Sequence, residues 1–195
     1  MADLSNDAQR RSLLQTAAGL ALSQVALTAS AQTATVGPKP PRPQPGKPGE
    51  FDFLSGAWKI SHRRLKTPGT EDWDIFQGEA TCWSILGGVG SVEELRIPAR
   101  DFSGMGLRLL DVKERVWSDF WVNGKSGVLA PPGLTGGFEN GVGTFIAEDM
   151  DGDRPVWSRG VWDRIAPTSC RWHQATSHDG GKTWQGNWTM DWVRA

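Results

Sequence analysis

Few side chains of this chain could move a proton, hold a metal or attack a carbon. Histidine occurs only at 62, 173 and 178, cysteine only at 82 and 170, and tyrosine nowhere. The histidines lack the spacing of a metal site. No Ser-His-Asp or Cys-His pattern stands out, and no Gly-rich phosphate loop lies between a strand and a helix. What remains is a scattered polar set, His62, Arg64, Glu79, Arg108, Asp119, Asn123 and Gln174, interleaved with Trp121, Trp172 and Trp188. His62 beside Glu79 or Asp119 could carry proton transfer, as in an isomerisation, hydration or cyclisation. Arg64 or Arg108 among tryptophans could instead meet the anionic group of an otherwise apolar molecule. The choice depends on which side chains share a face.

The elements that must position them are strands. Runs rich in Trp, Val, Ile, Phe and Thr recur at 57–66, 72–85, 90–97, 104–112, 116–123, 133–138, 143–149, 155–165, 169–177 and 183–194. Turn chemistry separates them, including Pro68-Gly69, Asn123-Gly124, Asn140-Gly141 and Asp151-Gly152. About ten sequential strands without helices predict an all-β domain, a single up-and-down antiparallel barrel, with a two-sheet sandwich as the alternative. Phe51 to Leu54 would plug one end as a short helical turn.

Alternate residues of a strand point to opposite faces, so parity assigns the interior. Trp58, Ile60, His62 and Arg64 point in from the first strand. Cys170, Trp172, Gln174 and Thr176 point in from the ninth, and Trp184, Trp188, Met190, Trp192 and Arg194 from the last. Two strands carry aromatic residues on both faces. Placing their tryptophans inside brings in Glu79 with Trp73 and Trp83, and Asp119 and Asn123 with Trp117 and Trp121. The interior is then a tryptophan cage interrupted by the polar set named above. Charged residues are rarely buried unless paired, so these groups either neutralise one another or line a pocket that water and a ligand can enter. In a simple meander two strands stand between Cys82 and Cys170. At about 4.8 Å per strand the pair lies beyond disulfide reach, so free, buried thiols are expected.

Two stretches resemble known motifs. Ser177-His178-Asp179-Gly180-Gly181-Lys182-Thr183-Trp184 is similar to the Asp-box of sialidase-type propellers, where it braces a hairpin and catalyses nothing; Asp179 would cap the turn. Phe51-Asp52-Phe53-Leu54-Ser55-Gly56-Ala57-Trp58 followed by His62-Arg63-Arg64-Leu65 resembles the opening of an uncharacterised bacterial family of exported lipocalin-like proteins. The likeness continues through Leu107-Arg108-Leu109, 117–124 and 179–190. It implies a barrel whose base is closed by Trp58, with Arg194 packed over the ring as a cation–π partner. Some lipocalin-like barrels bind haem through an inner-wall histidine, which makes His62 a minor candidate for that role. The sequence itself calls for no cofactor and no metal. Asp149 to Asp153 lacks the glycine and glutamate positions of a calcium loop.

The N-terminus sets the address. Arg10-Arg11-Ser12-Leu13-Leu14-Gln15 resembles the core of a twin-arginine export signal. The uncharged segment 16–28 is too short to span a bilayer, and Ala29-Ser30-Ala31 offers a signal-peptidase site. Residues 1–31 therefore read as a signal peptide, 32–50 as a Pro-rich spacer, and 51–195 as the barrel domain, exported to the periplasm or beyond. The partners expected are the twin-arginine translocase and signal peptidase during export, and a small hydrophobic ligand afterwards. Losing residues 1–31 removes two charges of each sign, so the net charge stays at −1. That gives no electrostatic footprint for nucleic acid and none for stable membrane attachment after cleavage.

Overall fold

The computed structural model describes residues 44–195. Residues 1–31, expected to be an export signal, and most of the Pro-rich spacer lie outside the described residues. The strands are β1 (Gly56–Leu65), β2 (Trp73–Ile85), β3 (Gly90–Ile97), β4 (Phe102–Asp111), β5 (Val116–Asn123), β6 (Leu134–Glu139), β7 (Val142–Asp151), β8 (Arg154–Ala166), β9 (Ser169–Ser177) and β10 (Gln185–Arg194). Each pairs antiparallel with its neighbour in sequence, and β10 returns to β1, closing one barrel. The sandwich alternative is thereby set aside. Closure removes the exposed edges that ten strands would otherwise offer. Turn residues make the tight reversals: Asn140 and Gly141 take φ of 50° and 77° between β6 and β7, the left-handed pair that a two-residue hairpin demands.

The two ends of the barrel differ. At the base, Asp52–Leu54 forms a 3-10 turn in which Leu54 is buried, as is the preceding Phe51. Trp58 Nε1 donates to the Leu54 carbonyl at 2.6 Å. The Arg194 guanidinium lies 4.0 Å over the Trp58 ring and donates to the carbonyls of Ser55 and Phe53. The Phe51 ring meets Trp117 and Phe138 edge-on, each at 5.0 Å, so aromatic rings fill the base. The segment 44–50 is docked beneath it. Gly46 N–H donates to the Arg115 carbonyl and its own carbonyl accepts from Arg115 Nε, Gly49 N–H donates to the Gly88 carbonyl, and Trp117 Nε1 donates to the Glu50 carboxylate. The opposite end, the mouth, is ringed by the loops 66–72, 98–101, 124–133, 152–153 and 178–184.

Two expectations are corrected, on β2 and ahead of β10. On β2 the inward set is Asp74, Phe76, Gly78, Ala80 and Cys82, so Trp73, Ile75, Glu79 and Trp83 face outward. Trp83 is 47% exposed, while the outward Trp73 is covered by the Arg63 guanidinium at 3.8 Å. A register shift between Gly186 and Trp188 of β10 reverses the alternation above it. Trp184 therefore lies outside the barrel, under Arg159 at 4.1 Å. The hairpin it belongs to is braced as expected: Asp179 accepts from the Thr183 hydroxyl and from the N–H groups of Lys182 and Thr183. Cys82 and Cys170 are free and buried, and burial pushes each thiol up to about 12.

Candidate functional site

The interior has a floor at mid-depth. Arg108 and Glu93 point in from β4 and β3, and Asp119 from β5. Arg108 Nη2 lies 2.5 Å from Glu93 and its Nε 3.3 Å from Asp119, and Arg108 and Glu93 are nearly inaccessible. A Cβ on Gly106 would stand 2.9 Å from Arg108 Nη2 and 3.0 Å from Glu93 Oε2, so this pair occupies the space a side chain would take. Below it, the guanidinium carbon is 5.5 Å from the Phe51 ring of the base plug. Arg108 thus belongs to a buried charge cluster in which two carboxylates outnumber one guanidinium. A buried pair of this kind is costly to break by removing one partner.

Above the floor the walls change character. His62 is buried and stacks on Phe76, ring centroids 4.5 Å apart and 9° from parallel. Arg100, on the loop after β3, lies 3.6 Å over the other ring of that stack and pairs with Asp74 at 2.8 Å. Opposite, Trp172 meets Trp188 edge-on at 5.9 Å, and Arg64 lies 4.8 Å over Trp188. The two stacks are joined by one hydrogen bond, Trp188 Nε1–H to His62 Nδ1 at 3.3 Å. Indole nitrogen only donates, so Nδ1 is the acceptor and the proton of the neutral ring sits on Nε2. Burial, with the Arg100 charge adding to it, pushes His62 down to about 4.

Of the ten residues expected at the site, seven line or floor the upper interior. These are His62, Arg108, Asp119, Trp121, Trp172, Gln174 and Trp188; Trp121 lies where a Cβ on Gly104 would be, 2.2 Å from its ring. Arg64 is at the exposed rim. Asn123 uses its side-chain oxygen to accept from Lys125 N–H at 2.9 Å in the turn after β5. Glu79 is on the outer wall, 50% exposed and paired with Arg96 at 3.0 Å, so it does not meet His62. Asp119 pairs with Arg108. The carboxylate partners proposed for proton transfer are therefore elsewhere, and a ring pushed down to about 4 is a weak base at neutral pH. Haem ligation through Nε2 would need the other tautomer, at the expense of the Trp188 bond. Sequence reasoning missed Glu93 and Arg100. Glu93 shares a face with Leu95 and Ile97, and that alternation is readable; Arg100 is in a loop and has no parity to read.

Compared with known proteins, the chain matches no family model and no curated protein. Among the described residues no group of three or more His, Cys, Asp or Glu could hold a metal ion.

Proposed function

We propose that this chain is exported, by the twin-arginine route that its first residues suggest, and that its barrel binds a small, largely apolar molecule in the upper interior. One observation carries the reading. The inward Trp58, Ile60, Trp117, Phe145, Trp162 and Trp192 toward the base are at most 1% exposed, whereas the inward Trp121, Trp172, Gln174 and Trp188 toward the mouth are only half-buried. Aromatic side chains that face inward yet keep contact with solvent describe a wall, not a filled core. Barrels of eight or so strands have room for one small ligand. The likeness to exported lipocalin-like proteins points the same way. If the ligand carries a charge, Arg64 and Arg100 are the cationic side chains nearest the mouth, Arg100 being paired with one carboxylate, Asp74, and Arg108 with two.

The test is native mass spectrometry of the mature protein recovered from the periplasm, followed by solvent extraction. The expected result is an added mass that disappears on extraction and denaturation. A protein that is uniformly ligand-free, and whose tryptophan fluorescence does not respond to a panel of apolar compounds, would sink the reading.

A further inference from the structure

The outer wall of the barrel breaks its own pattern on one side. Antiparallel strands packed on one core put apolar residues inward and polar ones outward. β1, β8, β9 and β10 follow this, with Lys59, Arg159, Arg171 and Asp191 among their outward residues. β2 to β5 do not. Trp83, Val92, Leu107 and Phe120 stand side by side in one cross-strand row on the outside, and Ile85 and Leu109 extend it toward the base. Trp83 is 47% exposed and the other five are half-buried. From that row toward the base, the outward positions of these four strands carry no charge before Asp111. The aromatic residues on both faces of β2 and β5 thus serve two surfaces, the interior and this outer field.

Closure of the barrel leaves no free strand edge, so whatever covers the field must meet it face to face. With strands about 4.8 Å apart and rows about 6.8 Å apart, the field measures about 400 Å², in the range of the largest apolar patches that monomers expose. Its borders indicate the occupant. On the mouth side stand Glu79 and Glu94 with Lys59 and Arg96, and Arg96 reaches both carboxylates, at 3.0 and 2.8 Å. On the base side stand Asp111 and Glu114 with Lys113 and Arg115. Each border holds two charges of either sign, which gives an anionic lipid surface no basic cluster to hold. A two-fold axis through the field would set the mouth-side border of one copy against the base-side border of the other, where opposite signs can meet. Two identical sheets also share the twist with which sheets pack face to face. We infer that two copies of this chain associate through the outer walls of β2 to β5. Two such fields bury about 800 Å² before the borders are counted, the low end for a specific interface, so the dimer is a weak one.

Sedimentation equilibrium of the mature protein, from micromolar to millimolar concentration, tests this. A monomer–dimer equilibrium is expected. Trp83→Ser and Leu107→Ser should each weaken it at least about tenfold, with the far-ultraviolet circular dichroism unchanged. Ile75→Ser removes an apolar group that is 71% exposed on the same strand but outside the field, and should leave the equilibrium as it is. A wild-type chain that stays monomeric throughout would overturn the inference, whatever the variants do. So would a dimer indifferent to both Trp83→Ser and Leu107→Ser, which would place the contact on another face. A monomer that floats with phosphatidylglycerol vesicles, and loses this with Trp83→Ser, would overturn it in favour of a lipid surface.

Discussion

His62 is a histidine used as a neutral ring, and its pH response follows from that. Its ordinary value is 6.5, and in the folded barrel it is pushed down to about 4 by burial and by the Arg100 charge. Between those two values the unfolded chain binds the proton and the folded chain does not. Stability contributed by the neutral ring is therefore complete above 6.5 and is lost as pH falls toward 4. Protonation would also put a second proton on Nδ1, facing the Trp188 N–H that now donates to it. A shift of this size corresponds to about 3 kcal/mol at most. Urea unfolding from pH 7.5 to 4.5 should show the wild type losing more stability than His62→Phe, the contributions of other titrating groups cancelling in the difference. Parallel curves would mean that the ring is not held neutral by its surroundings.

At the scale of the strand, β4 shows how this barrel makes room for its aromatics. Its inward positions run Phe102, Gly104, Gly106, Arg108 and Leu110, and the two glycines are covered by Trp121 and by the Arg108–Glu93 pair. Gly104→Ala would place a methyl group against the Trp121 ring and destabilise the fold by about 1–3 kcal/mol. It should also change the near-ultraviolet circular dichroism of the tryptophans, whereas an unaltered spectrum and midpoint would mean that the ring is free to move aside. The strands themselves were legible because turn pairs and apolar runs mark them locally, whereas the Trp58–Arg194 closure was expected from the resemblance to lipocalin-like proteins, with the inward parity of both residues in agreement. β2 was misread because aromatic residues occupy both of its faces. Trp73 and Trp83 lie near its two ends, where an outward ring can rest on a neighbour such as Arg63 or meet water. Trp184 was misread because a bulge changes parity, and nothing in Gln185-Gly186-Asn187 specifies on which side the extra residue falls. Glu79 then followed Trp83 to the wrong face.

For the whole molecule, the question is what keeps one end of the barrel shut. The cap at Asp52–Leu54 runs directly into β1, and the segment before it crosses under the base from the β4–β5 loop to the β2–β3 turn. Gly46 N–H donates to the Arg115 carbonyl at 2.7 Å, Gly49 N–H to the Gly88 carbonyl at 2.9 Å, and Trp117 Nε1 to Glu50 at 2.8 Å. Gly88 cannot carry a side chain here, since its Cβ would stand 2.6 Å from the Gly49 nitrogen. Trp117 is among the most buried residues of the plug, and without Glu50 its indole N–H loses the acceptor it has. A chain beginning at Phe51 instead of Gln44 should therefore be less stable by about 2–5 kcal/mol, one charge-assisted bond and several backbone bonds being lost. Glu50→Gln retains an acceptor oxygen and should cost about 1 kcal/mol. Denaturation midpoints of the three proteins check the order. If the shorter chain matches the longer one, the ten strands and the aromatic plug close the base unaided, and residues 44–50 merely lie against it.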